Sequence, residues 1–430
     1  MSTRRYRIAM VAACPFPSLR GSQVFIRELA ETLVAAGHEV HLVTYPAGEH
    51  VVPVKGMFIH RLRPLAGLDG SRSWWAKLVL DVALIFTLYR VVREHEIELI
   101  HAHNYEGPMV AYVVRRLLRV QVVYHSHNAM TDELPYYFRG GVGRWLARRA
   151  GRWLDRTVPR WADYCIGLTP ELAGYLRQHG VRRDRIAVIP PAVAVLPAGE
   201  PGPLDDPFPG AQIVLYAGNL DPYQRVDVLL RAFARLRQTH PDSLLVMAVH
   251  PARSRRVQRR LAEIGATPGV RLVETHAFGA ARRLVGRAHV VVCPRSSWSG
   301  FPIKLLNFMS LERAIVVCNS SAKTVSDGVT GLVVPDEDES AMADALRALL
   351  DDPARRAAMG RAAREEAESR YSWAVVRPQI ESVYRQLLAD APPAAGEAGR
   401  RSSGGMQNYL MAASEDRISP RAPSRRAGSE

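Results

Sequence analysis

Two segments, IHAH at 100–103 and YHSH at 124–127, each end in histidines spaced two apart. Side chains alternate along a strand, so His101 and His103 share one face, as do His125 and His127. Three readings compete: hydrogen-bonded core histidines, histidines lining a cleft, or a multi-histidine metal site. The second member of each pair lies nearest the carboxyl end of its strand, which makes His103 and His127 the cleft candidates. No carboxylate spacing completes a ligand set, so no metal is expected. A richer segment runs from 294 to 319, PRSSWSGFPIKLLNFMSLERAIVVCN. A strand should end at Pro294 and a loop should carry Ser299, Gly300 and Phe301. Pro302 then sits where a first helical residue belongs. A helix start aimed at a cleft offers free N–H groups and positive dipole to an anion such as a diphosphate. Lys304 falls in that first turn, where a fixed cation opposes the dipole, so an anionic ligand accounts for it better than a structural role. The competing reading is a solvent-facing lysine. Near the amino terminus, Gly21 and Ser22 open a helix after a strand; small side chains there suit an approaching anion or sugar, and equally an ordinary turn.

The elements that must hold these residues follow from hydropathy. Strand-length apolar runs at 5–13, 39–45, 97–103, 121–127, 164–169 and 186–190 alternate with amphipathic helical segments, the first over 24–36. That alternation predicts a parallel sheet covered on both faces. Residues 195–210 hold five Pro and three Gly in 16 positions and read as a linker. Alternation resumes with strands at 213–217, 244–249, 271–274, 290–294, 314–319 and 331–334, and with helices at 226–239 and 302–311. Three further helices close the folded part, at 340–351, 353–370 and 375–390. The expected organisation is a first doubly wound domain over 1–194, the linker, a second over 211–372, a helix over 373–390 and a disordered tail over 391–430. Ligands should sit beyond the carboxyl ends of both sets of strands.

Composition narrows the partners. The chain carries 57 basic and 42 acidic residues, a net +15, and only four of the cations are lysines. Such a field favours anionic partners. Cys14, Cys165, Cys293 and Cys318 form no CxxC pair, which points to reduced buried thiols. The longest apolar stretch, 78–89, contains Asp81 and is well short of the ~20 residues that span a bilayer. The amino-terminal apolar run reads as a strand rather than a signal peptide, so a cytoplasmic location is expected.

Several segments in order carry a family resemblance: GSQVFIRELAETLVAAGHEVHLVT at 21–44, ELIHAH at 98–103, ADYCIGLTPEL at 162–172, RIAVIP at 185–190, LYAGNLDPYQRVDVLLRAF at 215–233, SGFPIKLLNFMSLERAIVV at 299–317 and DGVTGLVV at 327–334. From about 5 to 390 the chain resembles the family 4 glycosyltransferases. The resemblance implies the two-domain GT-B architecture and metal-free transfer of a sugar from a nucleotide sugar to an acceptor hydroxyl, with retained anomeric configuration. It implies that Gly21 takes the second place of a Gly-Gly turn and that His127 lies near the transferred sugar. The two carboxylates of the family's Glu-x7-Glu pattern fall on Ser299 and Asn307, as in a variant branch; Asn307 can still bond ribose hydroxyls. The family's phosphate-clamp cations fall on Asn219, after Gly218, and on Gln224, while Arg225 stands where glycine is usual. Arg225 and Lys304 are therefore expected to replace the clamp. His103 is assigned to the acceptor side.

Within 143–162, Arg144, Arg148, Arg152, Arg156 and Arg160 recur every four residues. Leu146, Ala150, Trp153 and Leu154 lie opposite. This is either a surface helix with a solvated arginine face or one that docks on anionic lipid near a lipid-linked acceptor. Nucleic acid is not expected, because no binding motif accompanies the charge. The leading functional reading is a glycosyltransferase of cell-surface polysaccharide or glycolipid assembly, peripheral on the inner face of the membrane. The alternative is a catalytically silent protein of the same fold that binds a nucleotide, a sugar or a partner.

Overall fold

Runs such as IAMVA at 8–12 and VVVC at 290–293 leave no polar face, so they are stable only as strands covered on both sides. In the computed structural model, which describes residues 4–16, 21–46, 53–63, 74–138, 140–195, 208–249, 255–275 and 278–389, they form two parallel sheets. The first comprises β1 (Arg7–Ala12), β2 (Glu39–Thr44), β3 (Met57–Arg61), β4 (Leu99–His103), β5 (Gln121–Ser126), β6 (Tyr164–Gly167) and β7 (Ile186–Val188). Their order is β3-β2-β1-β4-β5-β6-β7. The second comprises β8 (Gln212–Ala217), β9 (Ser243–Val249), β10 (Val270–Glu274), β11 (Val290–Cys293), β12 (Ala314–Cys318) and β13 (Leu332–Val334), ordered β10-β9-β8-β11-β12-β13. Each order reverses beside its own first strand, between β1 and β4 and between β8 and β11. Two doubly wound domains therefore present matching crevices.

β3 was not expected. MFIHR is short and its Phe58 is 46% exposed, because it forms an edge covered on one side only. The helix expected over 302–311 is shorter, Lys304–Ser310, and is preceded by a tight turn in which Leu305 N–H donates to the Pro302 carbonyl. Pro302 is thus not its first residue. Residues 196–207 of the expected linker and the tail at 391–430 lie outside the described residues. Among the described residues no helix is long and apolar enough to cross a membrane.

The arginine-rich helix, Gly141–Thr157, packs on an unexpected face. It buries Ala147, Gly151 and Asp155, while Leu146 and Trp153 are exposed. A Cβ at Gly151 would lie 2.5 Å from the Met130 carbonyl oxygen, so only glycine permits this approach. Asp155 accepts from the Met130 and Thr131 N–H groups at 2.9 and 3.0 Å and from Thr131 Oγ1 at 2.6 Å, which satisfies its buried charge.

The final helix, Trp373–Ala389, returns to the first domain. Trp373 Nε1 donates to Glu28 at 2.9 Å, and the Tyr384 hydroxyl meets His101 Nδ1 at 2.6 Å. Beside this crossing, the Val193 N–H donates to the Tyr371 carbonyl at 2.9 Å.

Candidate active site

A cavity of about 340 Å³ opens between the crevices of the two domains, beyond the strand ends. The first domain supplies Gly21 and Ser22 from the start of a helix, Asn104 after β4, and His127, Glu133 and Tyr137 from the chain following β5. The second supplies Gly218, Asn219 and Gln224 after β8, Arg295 after β11, and Gly300, Phe301, Pro302, Lys304 and Asn307.

Lys304 dominates the second wall. Its Nζ donates to Gln224 Oε1 at 2.9 Å and lies 4.5 Å from the centroid of the Tyr216 ring. Among the described residues no carboxylate pairs with it, and burial lowers the ammonium from its ordinary range, with Arg295 adding to the effect. A desolvated cation without a counter-charge is costly, and an incoming anion relieves that cost. Gly218 makes room for it: φ is +153°, and a Cβ there would stand 3.2 Å from both Lys304 Nζ and the Tyr216 hydroxyl. Arg295 joins Lys304, its Nη2 bonded to Ser297 Oγ at 3.0 Å, and Ser297 in turn donates to Asp132 at 2.8 Å across the domain boundary. Asn307 lines the same cavity, and its buried Oδ1 has no hydrogen-bond partner.

The first wall is different. His127 Nε2 meets His103 Nδ1 at 3.2 Å, and burial lowers His127 to about 4, so its imidazole is neutral at pH 7. Glu133 is bonded by Asn128 and by the Tyr137 hydroxyl; burial raises its carboxyl above the usual range, against the opposing pull of Arg295.

Three residues expected at the site do not line the cavity. Arg225 does not line the cavity; it forms ion pairs with Glu337 and Asp227. Its backbone, at φ +47°, turns the chain as glycine would. His103 is fully buried behind His127 and contributes to the wall only through it. Ser299 is also buried away from the cavity, its N–H donating to Asp132 at 3.2 Å. The cavity instead contains Arg295 and Glu133, which the sequence reading did not single out. The signal for Arg295 was its place directly after β11 and Pro294, at a strand's carboxyl end; Glu133 had none beyond following the YHSH strand.

A model for the glycosyl transferase 4-like domain matches residues 20–192, and one for glycosyl transferases group 1 matches residues 211–352. The chain is 26% identical over 409 residues to a D-inositol 3-phosphate glycosyltransferase of Corynebacterium efficiens, covering 89% of this chain and 94% of that protein. Its fold is similar to sucrose-phosphate synthase from Thermosynechococcus elongatus, with a TM-score of 0.75 and 21% identity over 90% of this chain and all of the other. It is also similar to Anabaena Alr3699/HepE, solved in complex with UDP-glucose, with a TM-score of 0.67 and 15% identity over 89% of this chain and all of the other. Both walls of the cavity fall within these matches, and the chain belongs to the family 4 glycosyltransferases, retaining enzymes of GT-B architecture that use a nucleotide sugar.

Proposed function

We propose that the enzyme transfers a sugar from a nucleoside-diphosphate sugar to a lipid-linked acceptor, without a metal ion, in cell-surface polysaccharide or glycolipid synthesis. The observation that carries the donor half is the buried Lys304 ammonium, with no carboxylate partner among the described residues, beside Arg295. These two cations receive the diphosphate, Arg295 taking the part expected of Arg225. As the C1–O bond breaks, its electron pair passes to the phosphate oxygen, where fixed positive charge lowers the barrier. The acceptor oxygen bonds to C1 on the face the diphosphate leaves, and its proton departs with the phosphate. Asn307 receives a ribose hydroxyl, and neutral His127 bonds the sugar without repelling developing positive charge. Glu133, on the opposite wall, supplies negative charge to that centre in place of the carboxylate missing at Ser299. The UDP-glucose complex of the HepE enzyme favours a uridine donor.

The acceptor half rests on the outward face of helix Gly141–Thr157. Val142, Trp145, Leu146 and Trp153 are exposed beside Arg144, Arg148, Arg152 and Arg156. Apolar side chains with arginines at their border suit the headgroup region of an anionic membrane. This helix begins four residues after Tyr137, which lines the cavity, so a lipid-linked acceptor need not travel far. Replacing the four arginines with Gln should release the protein from anionic vesicles in flotation at low salt. Equal flotation of wild type and variant would remove the lipid.

The absence of glutamate at both Ser299 and Asn307 favours a second reading, a silent nucleotide-binding protein of the same fold. Screening UDP-, GDP- and ADP-sugars for slow donor hydrolysis in the presence of chelator separates the two. One donor should turn over at an undiminished rate. Binding of nucleotides with no hydrolysis across the panel would establish the silent reading.

A further inference from the structure

We infer that His41, His60 and His95 form a binding site for a zinc-class divalent cation at the edge of the first sheet, with Glu39 as the carboxylate behind His41. None of the four lines the cavity. Three separate elements bring the histidines together. His41 lies on β2 opposite Phe58 of β3, so His60, two residues further along β3, shares its face. His95 directly follows the helix Trp74–Glu94 that covers this part of the sheet.

The nitrogens converge. His41 Nδ1 is 2.9 Å from His60 Nε2, and one ligand atom from each of the three residues falls within 4.8 Å of the others. Tetrahedral zinc with Zn–N bonds of about 2.0–2.1 Å sets its ligand nitrogens roughly 3.4 Å apart, between those two values. His41 Nε2 meets Glu39 Oε1 at 2.7 Å. The tautomer that donates this N–H leaves Nδ1 with its lone pair toward His60, the carboxylate–histidine arrangement that orients a zinc ligand and raises its basicity. His41 is buried while His60 and His95 are partly exposed, so an ion can enter and a water can complete the coordination. Bound there, a cation ties edge strand β3 to the helix and to β2, a structural role separate from sugar transfer.

Untagged full-length protein, stripped of metal and titrated with Zn²⁺ against a chromophoric competitor, should bind one equivalent at this site. The double variant His60→Ala/His95→Ala should bind it about a hundredfold more weakly, and Glu39→Ala about 10–100-fold more weakly. Zinc should raise the melting temperature of wild type but not of the double variant. The metal-free double variant should melt close to metal-free wild type, which shows that its fold is intact. Failure to bind stoichiometric zinc would overturn the assignment. So would binding unchanged in both variants but lost in His101→Asn/His125→Asn, which would move the ion to the buried histidine row.

Discussion

The two walls of the cleft are built from the same kind of crevice yet carry opposite electrostatics. The second domain lines the cavity with three cations, Lys304, Arg295 and Arg282, against one carboxylate, Asp221, and buries Lys304 with no carboxylate paired to it among the described residues. The first holds a neutral imidazole, His127, and a carboxyl group, Glu133, raised by burial. In the proposed reaction the difference would separate the two products of bond cleavage: the wall assigned to the departing anion is positive beforehand, and the wall assigned to the sugar carries no cation among the described residues that would oppose an electron-poor carbon. A cation held ready in this way destabilises the empty protein, and the ligand recovers that loss.

Lys304→Met breaks the asymmetry most severely. Nucleoside-diphosphate affinity should fall by about 2 kcal/mol, roughly thirtyfold, and donor turnover by about 10²–10³-fold. The empty variant should melt higher than wild type, because a buried charge has been replaced by an apolar chain of similar length. Calorimetry and thermal melts read both effects; unchanged affinity would show that the second wall is not the diphosphate site.

Acid should act on the first domain more than on the second. Burial lowers His127 to about 4 and His101 to about 3, and holds His103 and His125 well below their ordinary range. The unfolded chain, with ordinary histidine values near 6.5, binds more protons between about pH 6.5 and 4. Stability from this row is therefore complete above 6.5 and declines as pH falls through that window, by about 1.4 kcal/mol per pH unit for each net proton. Hydrogen exchange at pH 7 and pH 5 should show β4 and β5 losing protection before β8 and β11. Equal loss in both sheets would break the contrast.

The smallest effect should follow Arg225→Gly. The change removes two partly exposed ion pairs, to Glu337 and Asp227, but relieves a residue held at φ +47°. These opposing contributions should leave stability within about 1 kcal/mol and donor affinity within about twofold of wild type. A large loss of affinity would return Arg225 to the clamp.

Strands with unbroken apolar runs were legible from sequence because burial on both faces leaves no alternative, and so was the pairing of two doubly wound domains. β3 was not, since an edge strand needs cover on one side only and MFIHR gives too short a period to detect. The inward face of helix Gly141–Thr157 was hidden for another reason: hydropathy selects Leu146 and Trp153, whereas the packing depends on Gly151 for close approach and on Asp155 for capping backbone N–H groups. In the cavity, Lys304 was legible because a lysine is rare in this chain and unfavourable at its position. Arg295, one of 53 arginines, had no such contrast. Arg225 was expected at the clamp because charge was weighed without its backbone, although the family resemblance, which puts glycine there, already implied a positive φ.

The return of helix Trp373–Ala389 to the first domain has a consequence for biosynthesis. Tyr384 reaches His101 across 283 residues of sequence, and Trp373 reaches Glu28 across 345. A ribosome that has finished the first sheet has not yet made the element that covers its histidine row. Until the last helix emerges, the earliest part of the chain waits with an uncovered apolar flank, open to chaperones. A nascent chain arrested before residue 373 leaves that flank bare, so the first domain is completed only after the second has been made.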